Sequence, residues 1–236
     1  MIRCKSEEYK LDGESRLCYP IHNPLNKWVK GIIGGVQLGQ NKRDSKPFKL
    51  VLTGLMAALC YVSFTFLKIP IPVPSGTGYT ALHIGNAFCV LAALIMGGTY
   101  GGLAGSIGMT ISDLTDPVYV VSAPKTFVLK FLIGYIAGTV AHKCGHITAE
   151  HDKKYVLKWS LLSSLAGLLF NVAADPFVGY LYKRFLLGMD ADASKIMAAW
   201  DAGASLINAL VGTVVVVAVY AALRPVLKKT GLFFEI

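Results

Sequence analysis

Apolar residues in this chain gather in long runs, not in the short alternations of a half-buried strand. The first clear run spans 48–67. A Pro-rich stretch from Lys68 to Thr80 follows, with Pro70, Pro72 and Pro74, and it reads as a loop because proline lacks the backbone donor a helix needs. Further runs cover 81–97, 100–114, 125–141, 155–182 and 196–223. A bilayer span needs about 20 mostly apolar residues. The pattern therefore predicts an all-α membrane protein of six transmembrane helices. A tail, 1–47, precedes the six-helix domain at 48–229, and a short C-terminal tail, 230–236, follows it. Within the first tail, Trp28 to Leu38 is mildly apolar but interrupted by Lys30, Gly31, Gly34 and Gly35, which suits a surface-lying segment better than a span. The first 47 residues also lack the uninterrupted apolar core of a signal peptide.

Lysine and arginine set the expected orientation. Ten lie at or before Lys49, four between 142 and 158, and three at or after Arg224. The opposite connections carry Lys68, Lys125, Lys183, Arg184 and Lys195. Both termini are thus expected in the cytoplasm. Tyr155 with Trp159, and Tyr180 with Tyr182, would then anchor opposite interfaces.

Depth and spacing of the polar residues sharpen this picture. Charged and amide side chains inside a span are expensive and need a reason. His83 and Asn86 open the second span; Ser106, Thr110 and Asp113 close the third; Thr126 and Lys130 open the fourth; Asn171 and Asp175 close the fifth; Asp201, Ser205 and Asn208 open the sixth. Spacings of i, i+4 and i+7 place each set on one helix face. Lipid cannot satisfy such a face, so each stripe turns inward, and the stripes meet at one depth. They describe a polar cup open to the outside, where a through-channel would be lined at both ends. Tyr79, Phe131 and Trp200 are candidate ring contacts, and His83, Asn86, Lys130, Asn171, Asp175, Asp201 and Asn208 are candidate polar contacts. Lys130 with Asp175 or Asp201 could equally be an internal ion pair.

Composition narrows the function classes. Of 236 residues, 54% are hydrophobic and 16% charged, too few charges for a soluble domain of this size. The net charge of +9 could suggest nucleic acid, but its basic cluster sits against an apolar span, which points to a membrane face. The five cysteines form no CxxC pair and no disulfide framework. His142, Cys144, His146 and His151 share a loop without any standard metal spacing, so no metal or other cofactor is expected. The segment 34–41 has the spacing of a phosphate loop without its Lys and Ser/Thr, and neither HExxH nor GxSxG occurs. No ATPase or hydrolase is expected in this chain. Small residues pair at Gly54 and Ala58 (with Ala57), at Gly101 and Gly105, and at Gly134 and Gly138. The latter two pairs suit internal packing; the first suits packing or a partner.

The stretches HIGNAFCVLAALIMGGTYGGLAGSIGMTISDL, from His83 to Leu114, and SAPKTFVLKFLIGYIAG, from Ser122 to Gly138, resemble the S components of energy-coupling factor (ECF) transporters. They look closest to the riboflavin, hydroxymethylpyrimidine and pyridoxine branch. The resemblance implies a six-helix substrate-binding subunit of an ABC importer, with both termini cytoplasmic, in a prokaryotic plasma membrane. It implies a T component and ATPase subunits as partners, and a vitamin-like substrate held near the outer face. The 68–80 loop would be the gate, and Gly54, Ala57 and Ala58 would match the docking surface. Two other readings stay open: a stand-alone secondary transporter, and an intramembrane enzyme using Lys130 with the carboxylates.

Overall fold

The computed structural model describes residues 9–11, 18–20, 46–74, 79–149 and 152–229. Two units are distinct, residues 1–43 and residues 44–236. In the first, β1 (Tyr9–Leu11) pairs antiparallel with β2 (Cys18–Pro20). The Trp28–Leu38 stretch and the 34–41 segment lie outside the described residues, as does the 230–236 tail.

The second unit is a helical bundle. Its elements are α1 (Lys46–Phe66), β3 (Lys68–Pro72), β4 (Tyr79–His83), α2 (Gly85–Met96), α3 (Gly98–Thr115), α4 (Ala123–Thr139), α5 (Lys153–Leu181) and α6 (Ala191–Lys229). Single π-helical turns extend α4 through Val140–Cys144 and α5 through Tyr182–Leu186. By length and composition four helical segments can cross a membrane: Lys46–Phe66, Val120–Cys144, Lys153–Leu186 and Ala191–Lys229. α2 is a shorter apolar helix.

The reason for that short helix is physical. The expected second span, 81–97, loses its first residues to a β-hairpin in which Lys68 faces His83 and Pro72 faces Tyr79. Pro70 and Pro72 are compatible with a strand that has a free edge, where no ladder donor is required of them. The expected loop is therefore partly a hairpin. At about 1.5 Å per residue, α2 rises only about 18 Å. Eleven of its twelve residues are buried, all except Phe88. A helix apolar all round is a core helix, and α2 packs against α1, α3, α4 and α6. Gly97 turns the chain from α2 into α3 at φ 87°, a conformation that favours glycine, while its N–H donates to the Ala93 carbonyl at 2.9 Å.

α1, α4, α5 and α6 behave differently. Each buries one stripe and exposes large apolar side chains, such as Val51, Val128, Leu169 and Val214. Outward apolar faces around a buried polar interior suit lipid as the surrounding solvent. Glycines let the inner helices touch: a side chain at Gly134 would run into the Gly102 backbone at 2.6 Å, and one at Gly102 into the Phe131 carbonyl at 2.7 Å. Gly101 abuts Ala93, Gly105 abuts Cys89, and Gly138 abuts Gly98. The small-residue faces of α3 and α4 serve internal packing, and α6, at about 58 Å, is longer than the roughly 30 Å hydrocarbon core.

Candidate binding site

Polar stripes from several helices converge at one end of the bundle, on a cavity of about 550 Å³. The hairpin β3–β4, the last turn of α3, the 116–122 connection, the first turns of α4, the last turns of α5 and the first half of α6 all contribute. Seven of the ten expected contact residues line it: Tyr79, His83, Lys130, Asn171, Asp175, Asp201 and Asn208.

Three expected contacts do not line it. Phe131 follows Lys130, and one step along a helix turns a side chain by about 100°; it lies instead against Gly102 and stacks on Tyr135 with centroids 6.0 Å apart. Trp200 precedes Asp201 and is likewise turned outward, 41% exposed. Asn86 is buried in the first turn of α2, its Oδ1 without a hydrogen-bond partner.

The expected ion pairing also changes. Lys130 pairs with neither carboxylate. Lys125 Nζ donates to Asp175 Oδ1 at 2.9 Å, and Lys183 Nζ donates to Asp201 Oδ2 at 2.7 Å. Ser205 Oγ adds a bond to Asp175 Oδ2 at 3.1 Å. Lys130 Nζ reaches Asn171 Oδ1 at 3.4 Å. Lys183 escapes a pattern reading because it falls where charge density suggests a loop, whereas the π-helical turn Tyr182–Leu186 carries it back toward α6. Lys125, five residues before Lys130, was legible as a basic residue of the outer connection, but not as the partner of Asp175.

Asn208 has a structural task. Its Oδ1 accepts from the His83 backbone N–H and its Nδ2 donates to the Ala81 carbonyl, both at 3.0 Å. One amide thereby ties β4 to α6. At the other side of the hairpin, Lys68 Nζ meets Asp116 Oδ2 at 2.5 Å and stands 4.6 Å from the centre of the Tyr119 ring. The Lys68 bond holds the Asp116 carboxyl below its usual value of 3.8. The hairpin is thus fastened over the cavity from both sides.

The other end of the bundle is sealed differently. Thr53, Ser160, Ser164 and Thr213 each bond back to a carbonyl four residues earlier on their own helix. His142 Nε2 lies 3.1 Å from the Ala93 carbonyl oxygen. Among the described residues no cluster of His, Cys, Asp and Glu is placed to hold a metal. On α1, Gly54 and Ala58 are on the exposed side, whereas Ala57 is turned inward, its carbonyl beside Gly108.

These features define a polytopic α-helical membrane protein with a polar cavity at one end. The ECF-type riboflavin transporter S-component family matches residues 45–225, and the chain belongs to that family. It is a family of transporters, not enzymes. Among relatives, a "UPF0397 protein" of Streptococcus agalactiae is 28% identical over 75% of this chain and 92% of its own length. A "UPF0397 protein" of Enterococcus faecalis is 24% identical over 70% of this chain and 90% of its own. An "Uncharacterized protein in gap 3'region" of Pyrococcus woesei is 34% identical over 33% of this chain, and the match spans 49% of that protein. No solved structure matches.

Proposed function

We propose that this chain is the substrate-capturing membrane subunit of an ECF-type ABC importer for a vitamin or vitamin precursor, a small heteroaromatic micronutrient. The observation that carries the reading is the cavity: about 550 Å³, and lined by the buried polar residues Asp113, Lys130, Asn171 and Asn208 among others. That volume suits a small-molecule site. The Lys/Arg distribution supports an outward-facing cup with both termini cytoplasmic, in a prokaryotic plasma membrane. The hairpin, held by Asn208 and by Lys68–Asp116, would serve as the gate.

Energy would come from separate T and ATPase subunits. The exposed face of α1 around Gly54 and Ala58 would meet the T subunit, because small residues let a partner helix approach closely. Ala57, turned inward, would support that face from behind. The experiment is uptake of labelled riboflavin and pyridoxine by cells stripped of their own importers. Uptake only when the T and ATPase subunits are co-expressed is the expected result. Uptake by this chain alone would replace the importer subunit with a secondary carrier.

A further inference from the structure

Outside the cup, a groove of about 470 Å³ runs between α4 and α5 near the same end of the bundle. Val128 and Leu132 form one wall, Phe170 and Phe177 the other, and the small side chain of Ala174 leaves depth between them. Both flanking segments, Val120–Cys144 and Lys153–Leu186, are long and apolar enough to cross a membrane. Val128 and Phe177 are exposed on their outer faces. The groove is therefore cut into a surface that lipid covers.

Its chemistry is one-sided. Of its ten lining residues only Lys125 and Tyr182 carry polar side-chain atoms. The Lys125 ammonium is taken by Asp175, which lines the cup and not the groove, so the methylene stem is what the groove receives. The Tyr182 hydroxyl donates to the Val121 carbonyl at 2.6 Å. With those two bonds made, a polar ligand would give up its water and find no partner.

Size selects among apolar occupants. From Pro124 to Leu132 α4 rises about 12 Å, and from Phe170 to Tyr182 α5 rises about 18 Å. That is about half of the roughly 30 Å hydrocarbon core, the depth of one leaflet. Spread over about 15 Å, the volume leaves a cross-section of about 30 Å², which admits a single hydrocarbon chain. A helix of about 10–12 Å diameter is too wide to enter. Pro124 opens α4 and Tyr182 follows α5, so the two mark the mouth at the membrane face, where a tyrosine ring suits the headgroup level.

We infer that the α4–α5 groove binds one acyl chain of a phospholipid from the leaflet at the cup end. Lys125 and Leu129 line both cavities, so the chain lies against the back of the cup's wall. The site does not depend on what the cup captures.

The test reconstitutes the full chain in vesicles of phosphatidylethanolamine and phosphatidylglycerol, with a trace of phosphatidylcholine whose acyl chain carries a mid-chain diazirine. Irradiation followed by peptide mapping reads where the chain lies. The inference expects adducts concentrated at 128–132 and 170–178, at least about tenfold above the exposed face of α6 around Val214, since burying only two methylenes is already worth about tenfold. Ala174→Phe fills the groove and should bring those adducts down to the α6 level. Val214→Trp, which does not line the groove, should leave them unchanged. Should Ala174→Phe fail to fold, Val128→Trp narrows the groove from its rim and is read in its place, and the wild-type map decides by itself. Adducts spread evenly over α4, α5 and α6 mean ordinary boundary lipid and overturn the inference. A groove without adducts overturns it as well, and leaves that face to a partner protein.

Discussion

The two ends of the helical bundle solve the same problem, polar groups in a membrane, in opposite ways. At the closed end, hydroxyls of Ser160, Ser164 and Thr213 bond to their own helix, and glycines bring α2, α3 and α4 into backbone contact. At the cup end, side chains bond across helices: Lys125 on α4 to Asp175 on α5, Lys183 after α5 to Asp201 on α6, and Asn208 on α6 to β4. Self-satisfied hydroxyls let a helix pack as if it were apolar. Cross-helix pairs hold a gap open instead. The fold resides in the first end and the binding chemistry in the second.

Substitutions should separate the two. The largest effect is expected for Gly134→Ala. Its new methyl would meet the Gly102 backbone, which cannot give way as a side chain could, so overpacking of about 2–3 kcal/mol is expected. The folded fraction should bind with unchanged affinity. A loss of affinity without a loss of stability would erase the division between the ends. Asp175→Asn comes next, which leaves the half-buried Lys125 without its counter-charge and alters the Ser205 bond; breaking a fully buried pair costs about 3–5 kcal/mol, and this partly solvated one should cost about 2 kcal/mol. Thermal unfolding in mild detergent would report both, and Lys125→Met/Asp175→Leu should recover much of the second loss, since apolar replacement of both partners is often neutral.

A smaller effect is expected at the hairpin. Lys68→Met removes one fastening of a partly exposed pair, worth at most about 1 kcal/mol. Ligand dissociation followed by stopped flow should quicken several-fold with little change in the unfolding midpoint. The same pair predicts a pH profile. Its folded-state carboxyl titrates below the ordinary 3.8, so its contribution is present above that value and is lost as pH falls through the depressed one. Dissociation should be flat from about pH 5 to 8 and quicken only in stronger acid. The smallest effect belongs to Trp200→Ala, outward and away from the cavity, which should leave binding unaltered.

Much of the helical framework and most of the cup was legible in the sequence, because helical periodicity ties spacing to face. Asp201, Ser205 and Asn208 meet in the cavity as their spacing required. Adjacent residues were the weak point. Phe131 and Trp200 are ring-bearing neighbours of true lining residues, but each turns to a different face. Hydropathy also overstated the second span, since it cannot distinguish a strand entering a short buried helix from one longer helix. Pairing partners were the least legible feature. Which lysine meets which aspartate depends on the π-helical turn after α5 and on the rotation of α4, and neither leaves a mark in residue spacing.

Native mass spectrometry of the purified chain, with identification of any small molecule released on denaturation, tests the central claim most directly. Substrate capture predicts one vitamin-sized heteroaromatic compound, bound at one per chain and absent from the Lys130→Met protein. A chain that carries no such compound, and stays empty after incubation with a panel of vitamins and their precursors, would contradict it.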